Sequence, residues 1–355
     1  MIVLVKILRK TSFLIAQLLL GFFVLIIGCG SHRDLIQISG QTMGTTYSIK
    51  IIVESEQINP EQIKIDIDSI LTIINKQMST WDPTSEISQF NSFKSTEPFQ
   101  VSKSFATVVE SALDISEKTN GVFDITVFDL MRLWGFGPNP KLGIPDPKEI
   151  EKVLTYSGIE NISLQNGSII KKNPLTRLDL NAIAKGYAVD EVFLYLEGMG
   201  LKNIFVEIGG EVRCIGKNQR NKYWSIAIEN PPSSHHQTSN FAAVVYIDSK
   251  SVATSGNYRN FVDLNGEILG HTINPKIGFP VQTNILSVTV QAESCMEADA
   301  WATALMAMNY ESGLKKVSEY PEIKAVWIIK REDDIRKIAR SDGAIIEDSI
   351  YEFIR

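Results

Sequence analysis

Cysteine and histidine are scarce in this chain, with three of the first and four of the second in 355 residues. Past Cys29 only Cys214 and Cys295 remain. Two cysteines do not staple a domain of this size, and their spacing matches no metal-binding pattern, so both are read as buried thiols. Positive charge is in deficit as well, at 35 Lys and Arg against 41 Asp and Glu. Three of the cations, Lys6, Arg9 and Lys10, precede the first apolar run, so the remainder carries about −9. With no basic patch, nucleic acid is excluded as a partner. Internal repeats, a proline-rich linker and long blocks of one charge are absent too. The stretches 137–147 (GPNPKLGIPDP) and 230–240 (NPPSSHHQTSN) read as loops within a fold, which places His235 and His236 in solvent.

Only one long apolar run occurs, at 13–27, and it ends in Ile26-Ile27-Gly28-Cys29. Basic residues before it and a small residue after it mark a secretory signal. The last four residues resemble a bacterial lipobox, in which the cysteine becomes the lipidated first residue. Residues 1–28 are therefore expected to be a cleaved lipoprotein signal, 29–39 a lipidated N-terminus and linker, and 40–355 the folded domain. An uncleaved anchor is the alternative, although the run is short for a span of about 20 residues. Either way the rest of the chain is expected in a bacterial cell envelope, tied to the inner or outer membrane through its N-terminus and facing the periplasm or exterior.

What is present is a mixed α and β pattern. Apolar alternation predicts strands over 44–53, 175–180, 203–208, 224–229, 243–247, 286–291 and 324–329. Helical spacing predicts helices over 60–78, 102–118, 147–156, 182–199, 297–308 and 311–319, with Pro60 opening the first and Asn120-Gly121 closing the second. A core of this extent can hold a cofactor-sized cleft.

Several segments carry more chemistry than a core needs. In EADAWATALMAM, Asp299 and Thr303 lie four residues apart on a largely apolar helix, so their oxygens share one face. They either serve the helix itself, as a first-turn carboxylate and a back-bonding hydroxyl, or share a hard cation such as Mg²⁺. DLNAIAKG, from Asp179 to Gly186, passes from strand to helix, where unsatisfied backbone N–H groups attract anions and Lys185 would add charge. The plainer alternative is an Asn181 N-cap with a surface lysine. In IGGEVRCIG, Gly209-Gly210 reads as a hairpin turn needing positive φ. Trp81 in MSTWDPTSEIS is either part of a capping turn, in which Asp82 or Thr84 starts a short helix, or a stacking surface. Gly121-Val122-Phe123-Asp124 and Trp134-Gly135-Phe136-Gly137 allow a flat ligand to approach, or simply pack. His271, in the turn-rich GHTINPKIGFPV, either takes a proton from an attacking hydroxyl or hydrogen-bonds its own turn.

Together these segments resemble the ApbE family, the FAD:protein FMN transferases. The resemblance begins at GQTMGTTYS (Gly40–Ser48). It continues through MSTWDPTSEISQFN, GVFDITVFDLMRLWGFG, LDLNAIAKGYAVD, IGGEVRCIG, ATSGNYRNF, HTINPKIGFPV and EADAWATAL, in the family's order over nearly the whole mature chain. It implies a single mixed α/β domain of the ApbE type with an FAD-binding cleft. It also implies Mg²⁺ held by Asp299, Thr303 and the backbone carbonyl of Ala182. Contacts to FAD are implied for Met43, Trp81, Val122, Phe123, Asp124, Asp179, Lys185 and Ile273, with His271 as general base. The implied reaction moves FMN from FAD to a Thr or Ser hydroxyl of exported domains of electron-transport flavoproteins and releases AMP. Hydrolysis of FAD to FMN and AMP, or FAD binding without turnover, are the competing expectations. Trp81 stands where the family often has Tyr, and Ile277 where it usually has Thr before Gly278, which places a local hydrogen bond in doubt.

Overall fold

Nine strands form one sheet in which neighbours in space follow chain order. They are Asp34–Thr42, Thr45–Val53, Ile204–Ile208, Glu211–Ile215, Ser251–Gly256, Ile285–Ala292, Lys324–Lys330, Arg336–Arg340 and Glu352–Phe353. Every pairing is antiparallel except the last. The computed structural model describes residues 33–54, 58–141, 143–231, 241–247, 250–257, 261–264, 267–331 and 335–354. The expected signal and Cys29 lie outside the described residues, as do His235 and His236.

Alternation along the sheet divides the core into layers. In Lys324–Lys330, Ala325, Trp327 and Ile329 join the cluster around the Cys295–Met306 helix. Val326 and Ile328 face the other way, onto Ile228, Ala243 and Val245 of a three-stranded sheet. The period of two that strands impose is thus satisfied on both faces, and the large sheet lies between helices and a small sheet.

The helices follow their sequence signals closely. Pro60–Met78 is capped by Asn59, whose side chain accepts from Glu61 N and Gln62 N, and it buries Ile63, Ile67, Leu71, Ile74 and Met78. Lys103–Lys118 is capped by Ser102 and closed by Asn120 and Gly121, both at positive φ. Ala184–Gly198 and Cys295–Met306 pack on each other and are buried on most of their surface, so neither shows an amphipathic stripe. Cys214 and Cys295 are both buried free thiols, as expected from their number.

The structure differs from the sequence expectation at 175–180, where no strand forms. The segment is extended, but its partners are not a strand: Leu178 exchanges two hydrogen bonds with the Asn91 side chain, and Asp179 N donates to Ile125 O. A side-chain amide thus satisfies backbone that alternation alone assigns to a ladder. The short helix Glu86–Ser92 starts from Ser85, which accepts from Ser88 N, and not from Asp82 or Thr84. Residues 34–39, expected as linker, instead form most of the Asp34–Thr42 edge strand, and Ser251–Gly256, Arg336–Arg340 and Glu352–Phe353 also lie outside the expected strands, because their apolar residues are few or interrupted by polar ones.

Candidate functional site

Two helix starts and the strand that follows the Gly209-Gly210 turn meet around one carboxylate. The Ala184–Gly198 helix begins after Ile183, which makes no side-chain cap bond, so the alternative of an Asn181 cap does not hold and Asn181 is exposed. Ala182 consequently lies in the turn before the helix. Gly186 N donates not back along its own chain but across, to Asp299 Oδ2 at 3.1 Å. Asp299 is 4% exposed, one turn into the Cys295–Met306 helix, and Thr303 follows on the same face. The Thr303 hydroxyl lies 3.3 Å from Ser255 Oγ, at the end of the Ser251–Gly256 strand.

Close approach of the two helices depends on Gly186. A Cβ there would stand 2.3 Å from the Cys295 carbonyl oxygen and 2.7 Å from Met296 Cα. Asp190, one turn on, closes the junction from the other side by accepting from Cys295 N and Met296 N, each at 2.9 Å, and from Arg213 at 2.6 Å. Burial pushes the Asp190 carboxyl above its ordinary range, against the pull of Arg213 and the two amides. This bridge fixes the start of the helix that carries Asp299.

Lys185 faces Asp299 as well. Its ammonium lies 3.1 Å from Glu211 Oε1 and 3.7 Å from Asp299 Oδ2. Burial alone would lower its pKa, but Asp299 and Glu211 outweigh that and hold the ammonium charged. Glu211 is pushed up to about 7, chiefly by burial, with Lys185 opposing and Asp299 reinforcing the rise. Glu211 follows the Gly209-Gly210 turn, whose φ values of 63° and 103° match the positive-φ reading. Gly209 N donates to Thr46 O, which brings the Met43-Gly44 turn alongside. Met43 and Gly44, at φ 49° and 71°, form the central pair of a tight hairpin. A methionine in that conformation is strained by about 1 kcal/mol or more, a cost that functional turns tolerate.

The remaining expected residues are placed as follows. Asp179 is buried and accepts from Asn181 N at 2.8 Å, and burial raises its carboxyl against that bond. Through Ile125 O it adjoins the Val122-Phe123-Asp124 loop. Val122 packs beside the Cys295–Met306 helix, whereas Phe123 is buried in the main core, so any ligand contact from Phe123 must come from its backbone. The Asp124 carboxylate is occupied by Thr126 N, Thr126 Oγ1 and Ile159 N. Trp81 is 65% exposed on the turn after the Pro60–Met78 helix, free to cover a flat ligand rather than pack inside. Ile273 is buried against Leu130, Trp134 and Ile150, and in the same segment Trp134 Nε1 donates to Gly278 O at 2.7 Å. His271 is half-buried, edge-on to Phe136 at 6.3 Å. Its neighbour Thr272 donates to Asn257, two residues past Ser255, so the His271 loop is anchored next to the strand end that meets Thr303. Ile277 is exposed and the turn closes without it, through Gly278 N to Asn274 O.

Sequence reading passed over Glu211, Asp190 and Ser255 as site residues. For Glu211 a signal is present. Glu211 and Arg213 occupy alternate positions, hence one face, of an otherwise apolar strand, and charges on a buried face need partners.

Similarity to known proteins extends over most of the chain. The family model described as "ApbE family" matches residues 43–327. An FAD:protein FMN transferase of Vibrio cholerae is 38% identical over 323 residues, covering 91% of this chain and 96% of the relative. One of Escherichia coli K12 is 34% identical over 302 residues, 84% of each. The solved structure of flavin transferase ApbE from Vibrio cholerae superposes with a TM-score of 0.80 at 37% identity, covering 88% of this chain and 98% of that one. The apo flavinyl transferase ApbE of Pseudomonas stutzeri gives a TM-score of 0.80 at 29% identity, covering 88% and 96%.

Proposed function

The chain belongs to the ApbE family, and on that basis we propose that it is an FAD:protein FMN transferase, moving FMN from FAD to a Thr or Ser hydroxyl of an acceptor flavoprotein. The observation that carries this reading is the buried Asp299, aligned with Thr303 on one helix face and tied across to Gly186. A buried carboxylate with a hydroxyl one turn away and the Ala182 turn opposite make an all-oxygen donor set suited to Mg²⁺. A bound Mg²⁺ would withdraw charge from the diphosphate of FAD. Among the described residues no group of three or more His, Cys, Asp or Glu is placed to hold a metal ion by itself.

The rest of the chemistry falls to the chain's own residues. Lys185 offers a charged ammonium to phosphate oxygens, the Met43 and Gly209 turns present backbone to the same space, and Trp81 offers an aromatic face to a flat ring. The acceptor hydroxyl oxygen attacks the phosphorus of the FMN half. The bridging P–O bond breaks, and AMP leaves with its electron pair. His271 takes the hydroxyl proton, because a neutral hydroxyl is a poor nucleophile.

The full chain, purified in detergent and given FAD, Mg²⁺ and an acceptor domain, is expected to add one FMN mass to the acceptor and release AMP, read by mass spectrometry. Free FMN and AMP regardless of acceptor would replace this reading with a hydrolase. His271→Ala is expected to slow transfer by about a hundredfold or more with FAD affinity retained, measured by single-turnover labelling and fluorescence titration. Unchanged labelling rates would remove His271 as the base.

We infer a lipid anchor in the cell envelope from the apolar run that ends at Cys29, and exported domains of electron-transport flavoproteins as acceptors from the family resemblance. Cys29→Ser is expected to abolish the lipid mass at the N-terminus and release the protein from washed membranes after fractionation. A variant that still carries lipid would rule out Cys29 as its attachment point.

A further inference from the structure

We propose that Glu211 is a positioning residue that draws the Lys185 ammonium away from Asp299 and so keeps Asp299 available to a divalent cation. This rests on the Mg²⁺ assignment above and assigns a role to a carboxylate outside that donor set.

Two pairs of charges cross the interface between the Glu211–Ile215 strand and the Ala184–Gly198 helix. Arg213 with Asp190 is one, and Glu211 with Lys185 is the other. The first pair is fully engaged, since both Asp190 oxygens take backbone amides as well. The second is not. Glu211 is 4% exposed, yet its Oε2 is buried with no hydrogen-bond partner, and the carboxylate is otherwise held by Lys185 at Oε1 and by its own backbone amide. A buried carboxylate so thinly satisfied is costly for stability alone. Its geometry makes sense as a competitor: Lys185 is 3.1 Å from Glu211 but 3.7 Å from Asp299.

Charge decides the matter. The Lys185 ammonium can pair closely with only one of the two carboxylates, and at 3.1 Å from Glu211 against 3.7 Å from Asp299 it pairs with Glu211. Without Glu211 the ammonium would pair with Asp299 alone and neutralise it. Metal affinity should therefore fall although no ligand is changed, and removing the lysine as well should restore it.

The test is calorimetric titration of Mg²⁺ into the full chain in detergent, for wild type, Glu211→Gln, Lys185→Met and the double variant, with Asp299→Asn as the control for the site. Glu211→Gln is expected to weaken Mg²⁺ binding at least about tenfold, the loss typical when a partner outside the ligand set is removed. The double variant should return to within about threefold of wild type. A purely structural Glu211 would lower the melting temperature without rescue by Lys185→Met. Wild-type affinity in Glu211→Gln, or a double variant as weak as the single, overturns the proposal. If wild type and Asp299→Asn bind Mg²⁺ alike, the metal assignment itself fails and takes this inference with it.

Discussion

Asp299→Asn is expected to lower flavin transfer by about a thousandfold while leaving the chain folded. An asparagine keeps a carbonyl oxygen where Oδ2 now accepts from Gly186 N at 3.1 Å, so the helix junction retains its bond. What is lost is the negative charge that a divalent cation needs in a site 4% exposed, where water supplies little substitute. A thousandfold corresponds to about 4 kcal/mol of transition-state stabilisation, within the range for one preorganised electrostatic group. Steady-state rates across a Mg²⁺ titration, beside a thermal melt, check both halves. Wild-type turnover in the variant would remove Asp299 from the metal site, and an unfolded variant would make it a structural residue instead.

Gly186→Ala is expected to destabilise the protein by about 3 kcal/mol and to abolish transfer as well. Propensity favours the change, because alanine gains up to about 1 kcal/mol over glycine inside a helix. Sterics oppose it and win. The added Cβ meets the Cys295 carbonyl at 2.3 Å and Met296 Cα at 2.7 Å, and both are backbone, which cannot rotate aside. Relief requires the two helices to separate, and separation breaks the Gly186–Asp299 bond and carries Asp299 away from the Ala182 turn. Thermal and urea denaturation would measure the first effect and FAD-dependent labelling the second. A variant as stable and active as wild type would show that the junction is looser than its distances indicate.

The two results differ in what the sequence disclosed beforehand. Asp299 was conspicuous because a carboxylate in EADAWATALMAM breaks an apolar run, and its four-residue spacing to Thr303 needs only helix geometry. Gly186 showed only as a glycine near a helix start. Its close contact lies 109 positions away at Cys295 and exists only once the two helices are packed. Segment 175–180 illustrates the same boundary: its alternation is real, but the choice between a strand partner and the Asn91 side chain is made by tertiary neighbours.

Local signals therefore determined the longer helices, part of the sheet and the main candidate residues: caps at Asn59 and Ser102, the paired glycines at 209 and 210, the apolar periods, and the Asp299–Thr303 spacing. These depend on residues within a few positions of each other, which the sequence states directly. The tertiary structure alone decided that Lys185 sits between Glu211 and Asp299, that Asp190 caps a helix 105 residues onward, and that Phe123 lies in the core. Those facts arise from pairing charges and filling volume between distant segments, and such pairings are chosen by the energy of the whole packed chain.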